Sequence, residues 1–166
     1  AQVRAMPGKH LAFFSSFDYL EQALAAFQAA APEVPVWAQA RSMDEAARAA
    51  FLARFTPGDT GLGFAVLGGV FAEGIDLPGE RLVGVSVATL GLPPPDPLTE
   101  ALRERLEKAG GAGWRDAYLI PGLHKVVQAA GRLIRTPEDR GALLLLDRRF
   151  ADAEVRALLP AWWGLG

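Results

Sequence analysis

The chain has 166 residues, enough to bury a core within one domain, and its 51% hydrophobic and 22% charged residues describe a globular protein rather than a disordered one. A formal charge of −2 and a pI of about 5.7 exclude a global basic field, so any contact with nucleic acid has to be local. There is no cysteine, which excludes disulfides, thiolate catalysis and a cysteine-ligated zinc or iron–sulfur site together. No apolar run approaches the roughly 18 residues of a membrane span, and the start of the chain lacks the basic-then-apolar order of a signal peptide. A soluble, cytoplasmic protein with no membrane partner is the expectation. The opening Ala1-Gln2-Val3-Arg4, with a strand arriving almost at once, reads as a single domain over 1–166 excised from a longer chain. His10 and His124 stand in no metal-ligand spacing, and no metal site is expected.

After the Pro7-Gly8 turn, residues 10–14 form a short apolar strand that ends in Ser15-Ser16. Leu20, Ala23, Leu24 and Phe27 then recur at helical spacing. Ser15 and Asp18 have the spacing of a capping box, with Asp in place of the usual Glu or Gln. Hydroxyls beside the free N–H groups of a helix start are also a phosphate seat, so capping alone and capping with a backbone contact to nucleic acid both stand. Residues 34–38 form a second strand, and 46–55 a helix with Ala47, Phe51 and Phe55 on one stripe. Ser42 is its expected cap, with Glu45 at the third helical position. That accounts for Asp44-Glu45 without a metal-binding acidic box, which would need an apolar strand directly ahead of it.

Residues 63–67 are a continuous apolar run, as a strand buried on both faces should be. They exit into Gly68-Gly69, and then into Glu73-Gly74-Ile75-Asp76. Glycines and carboxylates at the exit of a buried strand are where open α/β sheets place ligands, although Gly-Gly also marks ordinary turns. Residues 82–88 make another strand. Pro93-Pro94-Pro95 is stiff and extended, and Asp96 is placed to cap the helix that Pro97 begins. That helix, over 97–109, carries Leu98, Leu102 and Leu106 on one side, with Glu100, Arg103, Glu104, Glu107 and Lys108 as a solvated face around the rest. Residues 110–113 read as a flexible link and 114–119 as a short connecting piece.

Residues 121–135 read as one helix, with Pro121 in its first turn and Pro137 stopping it. At about 100° per residue, Leu123, Val127, Ala130 and Ile134 fall within about 60° of one another and must face a core. Gln128, Arg132 and Arg135 cluster about 120 to 180° from Leu123 on the same wheel. No Asp or Glu lies within 121–135, so neither arginine has the usual carboxylate partner one turn away within its own helix, which leaves both to an anion from elsewhere. A generic Arg-x-x-Arg is more often a pair of solvated surface charges. The four leucines of 143–146 then form a last buried strand, ahead of a terminal helix.

Gln128-x-x-Gly131-Arg132-x-x-Arg135 resembles the last signature motif of superfamily-two helicases. The fuller run QAAGRLIRTPEDRG looks like the version in the DinG and XPD branch of DNA helicases, the bacterial DinG form in particular. Glu73-Gly74-x-Asp76 resembles the next-to-last motif of the same branch, with Ala72 where that motif has Ser or Trp. The Phe13-Phe14-Ser15-Ser16 exit with its nearby aromatic Tyr19 is similar to the family's Phe-Phe-x-Ser-aromatic segment. The resemblance spans nearly the whole chain, and it implies a three-layer α/β, RecA-like domain around a mostly parallel sheet. By the same resemblance Gln128, Arg132 and Arg135 face ATP and Mg²⁺ across a cleft, with Arg135 as the arginine finger and Arg132 as a second phosphate contact. Glu73, Gly74, Asp76 and Gly131 belong to the nucleotide side, and Ser15, Ser16 and Tyr19 touch single-stranded DNA.

A phosphate-binding Gly-x-x-x-x-Gly-Lys-Ser/Thr loop is missing, since Gly8-Lys9 is followed by His10 and preceded at the fifth position by Val3. The family keeps that loop, the metal-binding carboxylates and any iron–sulfur cluster in the other motor domain. The implied partner is therefore an N-terminal motor domain of the same polypeptide, and the isolated chain is expected to be inactive. Two other readings stand beside this one: a free-standing module that binds a phosphate-bearing ligand or a partner protein, and a degenerate domain kept for structural reasons. The retained Gln128, Arg132, Arg135, Glu73 and Asp76 argue against the last.

Overall fold

A computed structural model describes residues 2–73, 77, 81–133 and 141–164 of the chain. Its centre is a sheet of five strands, β1 (Lys9–Phe14), β2 (Val36–Ala38), β3 (Gly61–Val66), β4 (Gly84–Val87) and β5 (Ala142–Leu145). They lie in the order β2-β3-β1-β4-β5, and every neighbouring pair is parallel. The helices are α1 (Gln2–Ala5), α2 (Phe17–Ala30), α3 (Glu45–Ala53), α4 (Val70–Glu73), α5 (Pro97–Lys108), α6 (Ile120–Ala130) and α7 (Ala153–Ala157). Parallel strands need long crossovers, and helices in those crossovers cover both faces.

Alternation along β1 divides the core in two. Leu11 and Phe13 face one side, where they join Trp37, Phe51, Phe55 and Phe71 with Leu123 and Val126 of α6. Ala12 and Phe14 face the other, against Leu20 and partly buried Phe27 of α2 with Leu62 and Phe64 of β3. Glycines of β3 give room for the large ring of β2: a Cβ at Gly61 would lie 2.8 Å from Trp37, and one at Gly63 would lie 2.9 Å from Phe55. On the α2 side, the half of the sheet over β4 and β5 forms an apolar groove of about 450 Å³ that includes Phe14, Phe27, Leu144 and Leu146. No helix among the described residues is long and apolar enough to cross a membrane.

The three-layer α/β expectation holds, and so does each of the five strands, with ends moved by no more than two residues. Several local expectations do not. The cap of α2 is Ser16, whose Oγ accepts from the Tyr19 N–H at 3.2 Å, rather than Ser15. The cap of α3 is Asp44, accepting from the Ala47 N–H at 2.8 Å, rather than Ser42. In both cases the residue directly before the helix has the short geometry that reaches the third N–H. Asp96 does cap α5, accepting from Leu98 and Thr99.

Two corrections concern α5 and the residues after it. Its charged face is solvated only in part: Glu104, Glu107 and Lys108 are exposed, but half-buried Arg103 bonds Glu100 at 3.0 Å and Glu107 at 2.8 Å, and the Tyr118 hydroxyl donates to Glu100. Leu98 and Leu102, expected to pack, are 81% and 48% exposed. Gly113 packs against the Arg103 side of this helix, so closely that a Cβ there would lie 2.3 Å from the Arg103 carbonyl and 2.6 Å from the Glu107 side chain. Residues 115–119 are not a loose connection but a π-helical turn, Arg115–Leu119, running directly into α6. Finally, β5 is half-exposed rather than buried, because it lies at the edge of the sheet with β4 as its neighbour.

Candidate functional site

Helix α6 begins against the segment that follows β4. Gly122 and Gly91 meet backbone to backbone: a Cβ on Gly122 would lie 2.6 Å from the Leu90 carbonyl, and one on Gly91 would lie 2.7 Å from the Gly122 carbonyl. The helix buries Leu123, Val126, Ala129 and Ala130, with Leu133 just beyond its end, while Val127 is only partly buried. The buried stripe is thus centred nearer Val126 than the expected Leu123–Val127 line. The expected Ile134 position lies outside the described residues.

The helix also ends sooner than expected. Its hydrogen bonds tighten after Ala130, where Arg132 and Leu133 donate to the carbonyls three residues back at 3.2 and 3.0 Å. Gly131, a poor helix former, stands at that end with φ −63° and ψ −8°. Arg132 therefore sits on a turn, half-buried and not without a partner, while Gln128 is exposed on the last full turn of α6. The two still share a side of the helix, and Lys125 lies on the same side, one turn before Gln128. Arg135 lies outside the described residues.

The segment after β3 packs along this helix. Gly68 has φ +77°, a left-handed conformation that favours glycine, and a Cβ there would lie 3.3 Å from Cδ of Lys125. Helix α4 follows at once and lies against α6. Glu73 is the last residue of α4; Gly74 and Asp76 lie outside the described residues.

The expected nucleic-acid residues lie at the carboxyl edge of the sheet. Ser15 and Ser16 are exposed directly after β1, and Tyr19 is 44% exposed with its ring edge-on to Phe14 at 5.3 Å. The exits of β1, β2 and β3 are stitched together, since the Leu67 N–H donates to the Phe14 carbonyl at 2.8 Å and the Gln39 N–H donates to the Phe64 carbonyl at 2.8 Å. Gln39 Oε1 accepts from the Val66 N–H at 2.9 Å. Arg41 follows, but its guanidinium is taken up by Asp18 and Glu21, and these contacts, the Asp18 hydrogen bond foremost, hold its pKa above the usual value. At the exit of β5, Arg149 clasps Asp147 through Nε and Nη2 at 3.0 and 2.6 Å, and this bond holds the Asp147 carboxyl below the ordinary range.

The fold brings Gln128, Gly131 and Arg132 together on one helix end, with α4 alongside. It gathers Ser15, Ser16 and Tyr19 separately on the sheet edge. Gln39 and Lys125 join these places and were not singled out from the sequence. Lys125 stands three residues before Gln128 and seven before Arg132, a spacing that would have put it on the same stripe. Gln39 carries no such signal, because a polar residue after a strand is ordinary.

A family model for the helicase C-terminal domain matches residues 1–165. The chain belongs to this family. Its relatives include the regulator of telomere elongation helicase 1 of Homo sapiens, 35% identical over 178 aligned positions that cover 96% of this chain and 15% of that protein. The ATP-dependent DNA helicase DinG of Photobacterium profundum is 38% identical over 95 positions, 56% of this chain and 14% of that one. The chain thus spans about 15% of the length of such relatives. Among solved structures, an apo XPD superposes with a TM-score of 0.71 at 22% identity, over 92% of this chain and 30% of the other, which establishes the shared RecA-like fold.

Proposed function

We propose that this chain is the second motor domain of an ATP-dependent DNA helicase of DinG type, moving 5′ to 3′ on single-stranded DNA. The observation that carries the reading is the pairing on α6: Gln128 and Arg132 on one side of the helix, with α4 packed against it. Their donor groups fit a phosphate-bearing ligand, because an amide and a guanidinium offer N–H groups to anionic oxygens. In this reading the protein ligands of Mg²⁺ belong to the N-terminal motor domain, where the resemblance puts the metal-binding carboxylates. Bound ATP supplies the phosphoryl transfer that drives movement. This chain's part is to close Arg132 and Arg135 onto the phosphates, with Arg135 as the finger and Gln128 orienting the polar groups between the motors. Ser15, Ser16 and Tyr19 line the DNA track on the sheet edge.

Arginines that reach the phosphates only on closure stabilise the transition state rather than the bound nucleotide. Such fingers are worth roughly 10³ to 10⁵ in turnover, about 4 to 7 kcal/mol of barrier. The test is steady-state ATP hydrolysis, nucleotide titration and a melting curve for Arg132→Ala and Arg135→Ala in the protein that carries both motors. DNA-stimulated hydrolysis should be abolished in each, with ATP affinity and folding retained. Lysine at either position should not restore it, since a point charge does not reproduce the planar fork. Near-normal turnover in both variants would return the two arginines to an ordinary solvated surface.

A further inference from the structure

We propose that Lys125 is a DNA-backbone contact: its ammonium group, with the side-chain amide of Gln39, flanks the Gly68–Gly69 turn and holds one phosphate of the single strand. The assignment rests on the reading that the carboxyl edge of the sheet is the DNA track, and it adds to that track a residue from the helix that carries Gln128 and Arg132.

Three observations lead to it. First, Lys125 is already laid out toward that edge. Its Cδ, Cε and Nζ lie 3.3, 3.7 and 3.8 Å from the position a Cβ on Gly68 would take, so the stem rests along the bare backbone of the turn. A lysine whose methylenes are packed in the free protein has less rotamer entropy to lose when its head binds an anion. Second, Gln39 is fixed in a complementary sense. Its Oε1 accepts the Val66 N–H, which determines the orientation of the amide, and Nε2 is left on the side of the turn, 3.4 Å from where a Cβ on Gly69 would be.

Third, the charges at this edge separate the candidates. The guanidinium of Arg41 is bound by Asp18 and Glu21 and lies over the Phe17 ring at 5.3 Å, while Arg149 is clasped by Asp147. Lys125 forms no ion pair with a carboxylate among the described residues. A compact ammonium and one amide N–H₂ suit a single phosphate oxygen pair and carry no base preference.

The experiment uses the 166-residue chain and fluorescein-labelled oligothymidylate, with anisotropy titrations across a salt series for wild type, Lys125→Ala, Lys125→Arg and Gln39→Ala. Lys125→Ala should bind several-fold more weakly at low salt, with the slope of log K against log salt shallower by about 0.7, the value for one single-strand phosphate contact. Lys125→Arg should keep most of the wild-type slope, and Gln39→Ala should weaken binding without changing the slope. The loss should be the same on oligodeoxyadenylate, and the melting temperature of each variant should stay near wild type. A Lys125→Ala variant with wild-type affinity and slope overturns the assignment while leaving the DNA track standing. If Lys125→Ala instead loses affinity for inorganic tripolyphosphate and keeps it for the oligonucleotide, Lys125 serves the nucleotide face and the proposal falls. A wild-type chain that binds no oligonucleotide at low salt overturns the track and Lys125 together.

Discussion

Gly131→Ala separates the structural from the functional demand on the motif at the end of α6. Gly131 has φ −63° and ψ −8°, a conformation open to any residue. A Cβ there would meet only the carbonyls of Val127 at 3.2 Å and Gln128 at 3.4 Å, the close spacing of a side chain over its own last turn. With the last turn yielding by a few tenths of an ångström, alanine removes unfolded-chain freedom, which is worth about 0.4 to 1 kcal/mol of stability. For a domain of this size that is a rise in Tm of roughly 1 to 4 °C, at about 2 to 4 °C per kcal/mol. Gly122→Ala is the contrasting case, because its Cβ would run into backbone at 2.6 and 3.0 Å. Forcing α6 off the Leu90–Leu92 segment should cost about 1 to 3 kcal/mol, offset by about 1 kcal/mol of helix propensity. Thermal melts of the two variants beside wild type provide the comparison, together with ATP hydrolysis of Gly131→Ala in the two-motor protein. If Gly131 is glycine so that a ligand or the partner motor can approach the backbone, hydrolysis falls while Tm rises. A fall in Tm for Gly131→Ala would refute the geometry, and normal hydrolysis would leave the glycine without a role in the site.

The isolated chain should fold and yet hydrolyse no ATP, with or without single-stranded DNA; robust DNA-stimulated turnover by these 166 residues would sink the half-motor reading. Ser16→Ala should lower stability by about 1 kcal/mol through loss of the α2 cap, whereas Ser15→Ala, which removes no cap, should leave Tm unchanged and weaken single-strand binding. Equal Tm losses in both would make the pair structural. Acid should destabilise the chain through His10, whose imidazole is fully buried and whose pKa burial pushes below 6.5, against the raising effect of its bond to the Met6 carbonyl. The unfolded imidazole takes up a proton as pH falls through about 6.5 while the buried one resists it, so stability is present above that pH and declines below it. Urea midpoints for wild type and His10→Phe across this range provide the test, and identical pH slopes would exclude His10 as the source.

What was legible in the sequence was what burial on both faces writes into it. Residues 10–14 and 63–67 are apolar without alternation, and they form the adjacent central strands β1 and β3, where both faces are covered. The same signal misled at 143–146, because a run of leucines in an edge strand reads like one in a central strand, and only the neighbouring chain decides between them. The stripe on α5 failed for a related reason. Leu98, Leu102 and Leu106 have helical spacing, but Tyr118 and Gly113 pack against the Glu100–Arg103–Glu107 side, and neither partner can be assigned before the fold is known. In the site, Gln128 and Arg132 could be placed from spacing and family resemblance. Lys125 and Gln39 could not, because their meeting at Gly68–Gly69 joins residues from three separate parts of the chain.

Pro121 lies in the first turn of α6, where its chemistry puts it, yet the helical backbone does not begin there. A proline lacks the N–H and its ring crowds the carbonyl four residues back, so position 121 suggests a helix start. Here the helix runs through it, because the turn before it is widened: Ile120 donates to the carbonyl of Arg115, five residues back. The π turn opens the backbone where the ring needs space and leaves no donor unpaired at 121. One extra residue in the turn rotates everything before it by about 100° relative to everything after it. Tyr118 and Leu119 can therefore be buried at one end while Leu123 and Val126 are buried beyond the proline, and the exposed side passes to Gln128. The orientation of the Lys125–Gln128–Arg132 side is thus tied to the widened turn as well as to the Gly91–Gly122 contact that seats it. Those constraints act at the start of α6, about one to three turns before the residues whose direction they determine.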